Sequence, residues 1–204
     1  MANSDSERKS NNGIAATAFV LAGGRSSRMG RDKALLPSGH QNLLQRALHT
    51  CAAACDQTYI VGSKQLYGQF GEVIEDIYTG CGPLGGIHAA LTSTDTDLNL
   101  ILSVDMPGMT ANFLCWLLSK SATRSELIIV PEAAGGLQPL CTIYRKAVAN
   151  IAEQALRQGE YKVGGFFSLV PTCILVENEI LAAGFSPELF QNINTPEEYA
   201  SWRS

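Results

Sequence analysis

The chain has 204 residues, 46% of them apolar and 17% charged, so it can bury a full core without disulfide or metal staples and is too apolar to stay disordered. Its formal charge of -4, from 15 Lys and Arg against 19 Asp and Glu, argues against a protein that grips nucleic acid through one broad basic face. No run approaches the roughly 20 continuous apolar residues of a membrane span, the N-terminus MANSDSERKSNNG lacks an apolar signal core, and the six cysteines include no C-x-x-C pair. The expectation is a cytoplasmic protein with inert, structural thiols and no membrane or nucleic-acid partner.

Residues 1–13 are polar and predict a disordered tail, leaving 14–204 as a single domain. The apolar run Ala15 to Ala22 (AATAFVLA) suits a strand buried on both faces of a parallel sheet, and it ends at Gly23-Gly24. Leu43, Leu44, Ala47, Leu48 and Cys51 recur at helical spacing within Gln41 to Ala54; Thr58 to Val61 and Val73-Ile74 follow as strands. Gly85 to Leu91 predicts a helix after a Pro/Gly turn, Leu98 to Val104 a strand, Asn112 to Lys120 a helix and Leu127 to Val130 a strand. This alternation predicts a Rossmann-like, three-layer α/β/α fold with a mostly parallel sheet. From Gly135 the rhythm changes. Leu140 to Tyr144 suits a strand, Lys146 to Gln158 a strongly amphipathic helix, and Val163 to Leu169, Cys173 to Val176 and Pro196 to Trp202 a helix, a strand and a helix, together suggesting a lid-like region on the same core.

The most informative segment is the loop after the first strand. In open α/β sheets ligands sit beyond the carboxyl ends of strands, and Gly23 and Gly24 let backbone N–H groups approach a phosphate or a base edge closely. Arg25, Arg28, Arg31 and Lys33 place four of the 15 cations within nine residues, a clustering that suits an anion. The Walker spacing fails because Gly30 is followed by Arg31 rather than Lys, and G-x-G-x-x-G is absent. Asp105, after the strand Leu100 to Val104, is either a hard oxygen ligand for Mg²⁺ or a turn-forming Asp before Pro107. Asp76 is either a nucleotide contact or a solvated carboxylate before a turn, and Gly62, after the second strand, is a weaker lining residue. Asn192 and Asn194 each carry an amide donor and acceptor, ahead of a helix for which Thr195, Pro196 and Glu198 supply the N-cap, first and third positions. His40, His49 and His88 form no ligand pattern.

The motif L-A-G-G-x-x-x-R-M-G-x-D-K-x-L-L, from Leu21 to Leu36, resembles the signature of nucleotidyltransferases. Val73-Ile74-Glu75-Asp76, Gly82-Pro83-Leu84-Gly85-Gly86, Asp105-Met106-Pro107 and the closing Asn192-Ile193-Asn194-Thr195-Pro196-Glu197-Glu198 narrow the resemblance to the molybdenum cofactor guanylyltransferases. The resemblance implies a fold of the nucleotide-diphospho-sugar transferase type, with a nucleotide-binding part at 14–134 and an acceptor-binding part at 135–204. It implies GTP and molybdenum-molybdopterin as substrates, Mg²⁺ as cofactor, and proteins that deliver or receive the molybdenum cofactor as partners. Leu21, Ala22, Gly23, Gly24, Lys33, Gly62, Asp76 and Asp105 would bind the nucleotide; Arg28, Lys33 and Asp105 would carry catalysis, with Asp105 on the metal. Arg31, Lys162, Asn192 and Asn194 would bind the acceptor, although Lys162 stands where the family tends to carry arginine. A relative using CTP or a sugar phosphate, or a non-catalytic cofactor-binding module, is the alternative.

Overall fold

The computed structural model describes residues 13–23 and 32–203. The first strand, β1 (Ala16–Leu21), is buried along its whole length, as its apolar composition requires. Two short strands, β2 (Pro37–Ser38) and β3 (Gln41–Asn42), lead into α1 (Leu43–Ala52). This helix begins two residues later than the apolar spacing suggests, because Asn42 and Gln45 form a reciprocal cap: the Asn42 side chain accepts from the Gln45 N–H at 2.8 Å and the Gln45 side chain from the Asn42 N–H at 3.0 Å. The strand β4 (Gln57–Val61) is followed by a single helical turn, α2 (Lys64–Tyr67), which periodicity cannot reveal, and by β5 (Val73–Ile74). Helix α3 (Gly82–Ser93) starts three residues before the expected position, with Pro83 in its first turn where a missing N–H costs nothing. There follow β6 (Leu98–Ser103), α4 (Ala111–Ala122), β7 (Ile128–Ala133), the short β8 (Gly136–Leu137), β9 (Cys141–Arg145), α5 (Val148–Arg157), α6 (Val163–Phe166), β10 (Thr172–Leu175), α7 (Glu177–Ala182) and α8 (Pro196–Arg203).

The strands lie in the order β10-β7-β9-β6-β1-β4-β5. All neighbours along this path run parallel except β9, which is antiparallel to both β6 and β7. The segment after Gly135 is therefore not a lid laid over a finished sheet: β9 is one of the sheet's inner strands.

The period of two along each strand sorts the core into two layers. Ala16, Ala18 and Val20 of β1 join Leu98, Leu100 and Leu102 of β6 on the face covered by α1 and α4, through Leu44, Ala47, Phe113 and Leu117. Phe19 and Leu21 point the opposite way, with Ile101, onto α3 and α5, meeting Leu84, Ile87, Ala152 and Leu156. The result is the expected three-layer α/β/α arrangement. Among the described residues no helix is long and apolar enough to cross a membrane. The six cysteines are free, and burial pushes the Cys55 thiol up to about 12 and the Cys51 thiol well above its ordinary range, which suits structural thiols and not nucleophiles.

Candidate functional site

A cavity of about 590 Å³ opens at the carboxyl ends of β1, β4 and β6, a size suited to a nucleotide-sized ligand. Its lining includes Leu21 and Gly23 after β1, Gly62 after β4, Asp76 after β5, and Gly82, Pro83 and Gly86 of α3. Gly86 sits close against the sheet: a Cβ there would lie 3.3 Å from Val61 Cγ1, a tight contact, and 3.5 Å from Asp76 Oδ1, so a larger side chain would crowd the carboxylate. Asp76 is half-buried, and desolvation raises its pKa above the ordinary carboxylate value.

A second cavity, of about 300 Å³, is lined by Asp105, Met106 and Asn192 on one side and by residues 134–140, including Gln138, on the other. Leu140 lines both cavities, so they adjoin. The main chain sets this junction: the Ile193 N–H donates to the Asp105 carbonyl at 2.9 Å, which holds the segment 192–194 across the end of β6. The expected cap of α8 forms just beyond it, with the Glu198 N–H donating to Thr195 Oγ1 at 3.2 Å and the Thr195 N–H to Glu198 Oε2 at 3.0 Å.

Lys33 ties the two ends of the chain together here. Its Nζ lies 3.4 Å from Asp105 Oδ2 and donates to Asn194 Oδ1 at 3.0 Å, with its side chain only 14% exposed. The other carboxylate oxygen, Asp105 Oδ1, is buried with no hydrogen-bond partner, and so is Asn192 Oδ1. Buried oxygens that lack donors are uncommon, because leaving one unpaired costs about 1–3 kcal/mol. Both belong to residues lining the second cavity, where a cation or a hydrogen-bond donor on a ligand would satisfy them. No cluster of three or more His, Cys, Asp or Glu occurs among the described residues. A lone carboxylate with a free buried oxygen suits a hard divalent cation that completes its shell with water and substrate phosphates; Asp105 fits that role.

Of the residues singled out in the sequence, Leu21, Gly23, Gly62 and Asp76 line the first cavity, while Lys33, Asp105, Asn192 and Asn194 gather at the second. Gly24, Arg28 and Arg31 lie outside the described residues. Lys162 is not brought into either group. It lines a different cavity, of about 280 Å³, with Gln158, Glu160 and Phe166. Ala22 contributes its carbonyl, which accepts from Tyr67 Oη at 3.0 Å. Sequence reasoning misses Tyr67, Gln138 and Leu140, none of which belongs to a motif; Asp32 stands in the first motif without an assigned role, and here its Oδ1 accepts from the Ala34 N–H at 3.0 Å.

Residues 18–168 match the model of the MobA-like NTP transferase domain. The chain is 32% identical over 192 residues to a probable molybdenum cofactor guanylyltransferase of Pelotomaculum thermopropionicum, covering 93% of each chain. It is 33% identical to another protein of that name from Clostridium perfringens, covering 91% of this chain and 95% of the relative. Among solved structures, molybdopterin-guanine dinucleotide biosynthesis protein A of Archaeoglobus fulgidus superposes with a TM-score of 0.80 at 24% identity, covering 91% of this chain and 95% of that one, which shows a shared fold.

Proposed function

Because the chain belongs to the MobA-like NTP transferase family and is a nucleotidyltransferase, we propose that it transfers GMP from GTP to the terminal phosphate of molybdenum-molybdopterin. The products are the guanine dinucleotide form of the cofactor and pyrophosphate. The observation that supports this reading best is the adjoining pair of cavities, one of nucleotide size and one holding unpaired buried oxygens, with Lys33 and Asp105 beside the second.

An oxygen of the acceptor phosphate attacks the α-phosphorus of GTP, forming a new P–O bond as the bond to the β-phosphate bridging oxygen breaks. The attacking oxygen is already ionised at neutral pH, so no general base is needed. The protein's work is in-line positioning and neutralisation of charge. The Gly23 backbone meets the nucleotide closely, and the Lys33 ammonium neutralises its phosphates. Asp105 would hold Mg²⁺, which when bound draws negative charge off the phosphate oxygens. Asn192 and Asn194 offer amides to the hydrogen-bonding edge of the pterin, and Arg28 or Arg31 stabilises the leaving pyrophosphate or holds the acceptor. The reaction suits a cytoplasmic setting.

Asp76 supplies the acceptor for guanine N1–H and N2–H, and this sets a pH dependence. Only the ionised carboxylate accepts both, so GTP affinity is full above the Asp76 pKa and is lost as pH falls through it. Because burial raises that pKa, the loss begins at a higher pH than for a solvated aspartate. Titrating the KM for GTP downward from neutral pH is expected to show this rise. Asp76→Asn should weaken GTP binding by about 10- to 100-fold, the worth of a charged hydrogen bond, and flatten the pH profile; an unchanged profile would remove Asp76 from base recognition.

Pyrophosphate release tests the reading as a whole. Purified protein with Mg²⁺, molybdenum-molybdopterin and each of GTP, CTP, ATP and UTP is expected to release pyrophosphate fastest with GTP. Faster release with CTP would shift the assignment to the cytidylyl reaction, and nucleotide binding without release would make the protein a binding module.

A further inference from the structure

We propose that Tyr67 is a positioning residue of the nucleotide site, whose hydroxyl braces both stems of the first loop and so fixes the stem bearing Gly23 relative to the stem bearing Lys33. The inference rests on the nucleotidyl-transfer reading above.

The chain leaves β1 at Ala22 and returns at Asp32, and both residues touch the same oxygen. Tyr67 Oη lies 3.0 Å from the Ala22 carbonyl and 2.8 Å from Asp32 Oδ2. A phenol has one proton, so the two acceptors share it in a three-centre bond, which holds only while both stems stay in place. The second carboxylate oxygen, Asp32 Oδ1, accepts from the Ala34 N–H at 3.0 Å and starts the helical turn Lys33–Leu35. The orientation of Lys33 therefore follows from Asp32, and that of Asp32 from Tyr67. On the other stem, Ala22 leads directly to Gly23 in the nucleotide cavity.

The approach of the ring is built into β4 and α2. Tyr67 is 4% exposed, and a Cβ at Gly62 would lie 3.0 Å from its Cε2 and 3.4 Å from the Gly23 nitrogen. Glycine at 62 lets the ring pass between the strand end and the loop stem. Core packing alone would be served equally by phenylalanine, so the hydroxyl is the part that requires explanation. Burial, then the bond to Asp32, raises its pKa above the ordinary phenol value, which keeps the bridging proton in place.

The test compares Tyr67→Phe, Asp32→Ala, Asp32→Asn and the double variant Tyr67→Phe/Asp32→Ala in three readouts. The first is kcat/KM for GTP, set against KM for the acceptor. The second is the Kd of a fluorescent GTP analogue. The third is amide hydrogen exchange at Ala34 and Leu35, which needs no nucleotide. Tyr67→Phe is expected to lower kcat/KM for GTP about tenfold with a smaller change in the acceptor KM, and to speed exchange at Ala34 about tenfold. Asp32→Asn keeps its one carbonyl oxygen for the Ala34 N–H and turns its NH2 toward Tyr67 Oη, which can accept from it while donating to the Ala22 carbonyl, so this variant should stay within about threefold of the parent. The double variant should be no worse than Asp32→Ala alone, because both changes break one brace. Unchanged exchange in Tyr67→Phe overturns the brace itself. Faster exchange with unchanged GTP kinetics overturns the positioning role, as do losses that multiply in the double variant. Parent protein that binds no nucleotide overturns the function reading, and the positioning role with it, whatever the exchange data show.

Discussion

Asp105→Ala is expected to cut pyrophosphate release at least about a hundredfold, the usual scale for removing a group that stabilises charge in the transition state, while leaving the melting temperature nearly unchanged. The second half of that expectation follows from the surroundings of the side chain. The contact that holds the 192–194 segment uses the Asp105 main-chain carbonyl, which the substitution keeps. Oδ1 is buried without a partner, so its removal relieves the fold of a desolvated oxygen. Only Oδ2 is lost from Lys33, which retains Asn194 at 3.0 Å. A carboxylate that serves the fold so little is what the proposed role predicts, the common trade of stability for function. Pyrophosphate release and a thermal melt, run on the same preparation, check both halves. Full activity would remove Asp105 from the site, and a collapse of the melting temperature would make its role structural.

Phe113→Ala is expected to be the opposite kind of change, costing about 3–5 kcal/mol of stability through the cavity it leaves. Phe113 on α4 is fully buried and meets Phe185 and Phe190 edge-on, with ring centroids 5.2 and 5.1 Å apart. Those two rings fix the chain just before Asn192. A domain of about 200 residues should lose on the order of 10 °C in melting temperature. Acceptor KM is expected to suffer more than GTP KM, since Phe190 stands two residues from Asn192 and far in sequence from the residues of the first cavity. A drop of less than about 3 °C would show that the surrounding rings close the gap.

How much of this was legible beforehand depends on how local each cause is. β1 was legible because six buried residues in a row leave a continuous apolar signal. α5 was legible because Val148, Ala152, Ala155 and Leu156 recur on one face. The cap at Thr195 to Glu198 is confined to four residues and could be read directly. The strand at Cys141–Arg145 was visible, but its place between β6 and β7 was not, because apolar periodicity says that a strand is buried and not which strands bury it. The Tyr67 contacts span 35 and 45 residues and involve a carbonyl, a group that no side-chain pattern announces. Asp105 and Asn194 were each visible as motif residues, yet their shared hold on Lys33 comes only from the docking of 192–194 on β6.

The antiparallel β9 bears on the order in which the protein can be assembled. β6 is buried along all six residues and needs a partner on each edge: β1 is made early on one side, whereas β9 emerges only after α4, β7 and β8. During synthesis the strand that carries Asp105 at its end thus waits with one edge bare, the condition that favours pairing with a foreign strand. β9 also joins β6 to β7, so the half of the sheet lining the first cavity becomes continuous with β7 only when β9 is made, and β10 is added to the far edge of β7 later still. A chain that stops before Cys141 lacks the strand joining β6 to β7, and its sheet is left in two pieces with an edge of β6 bare.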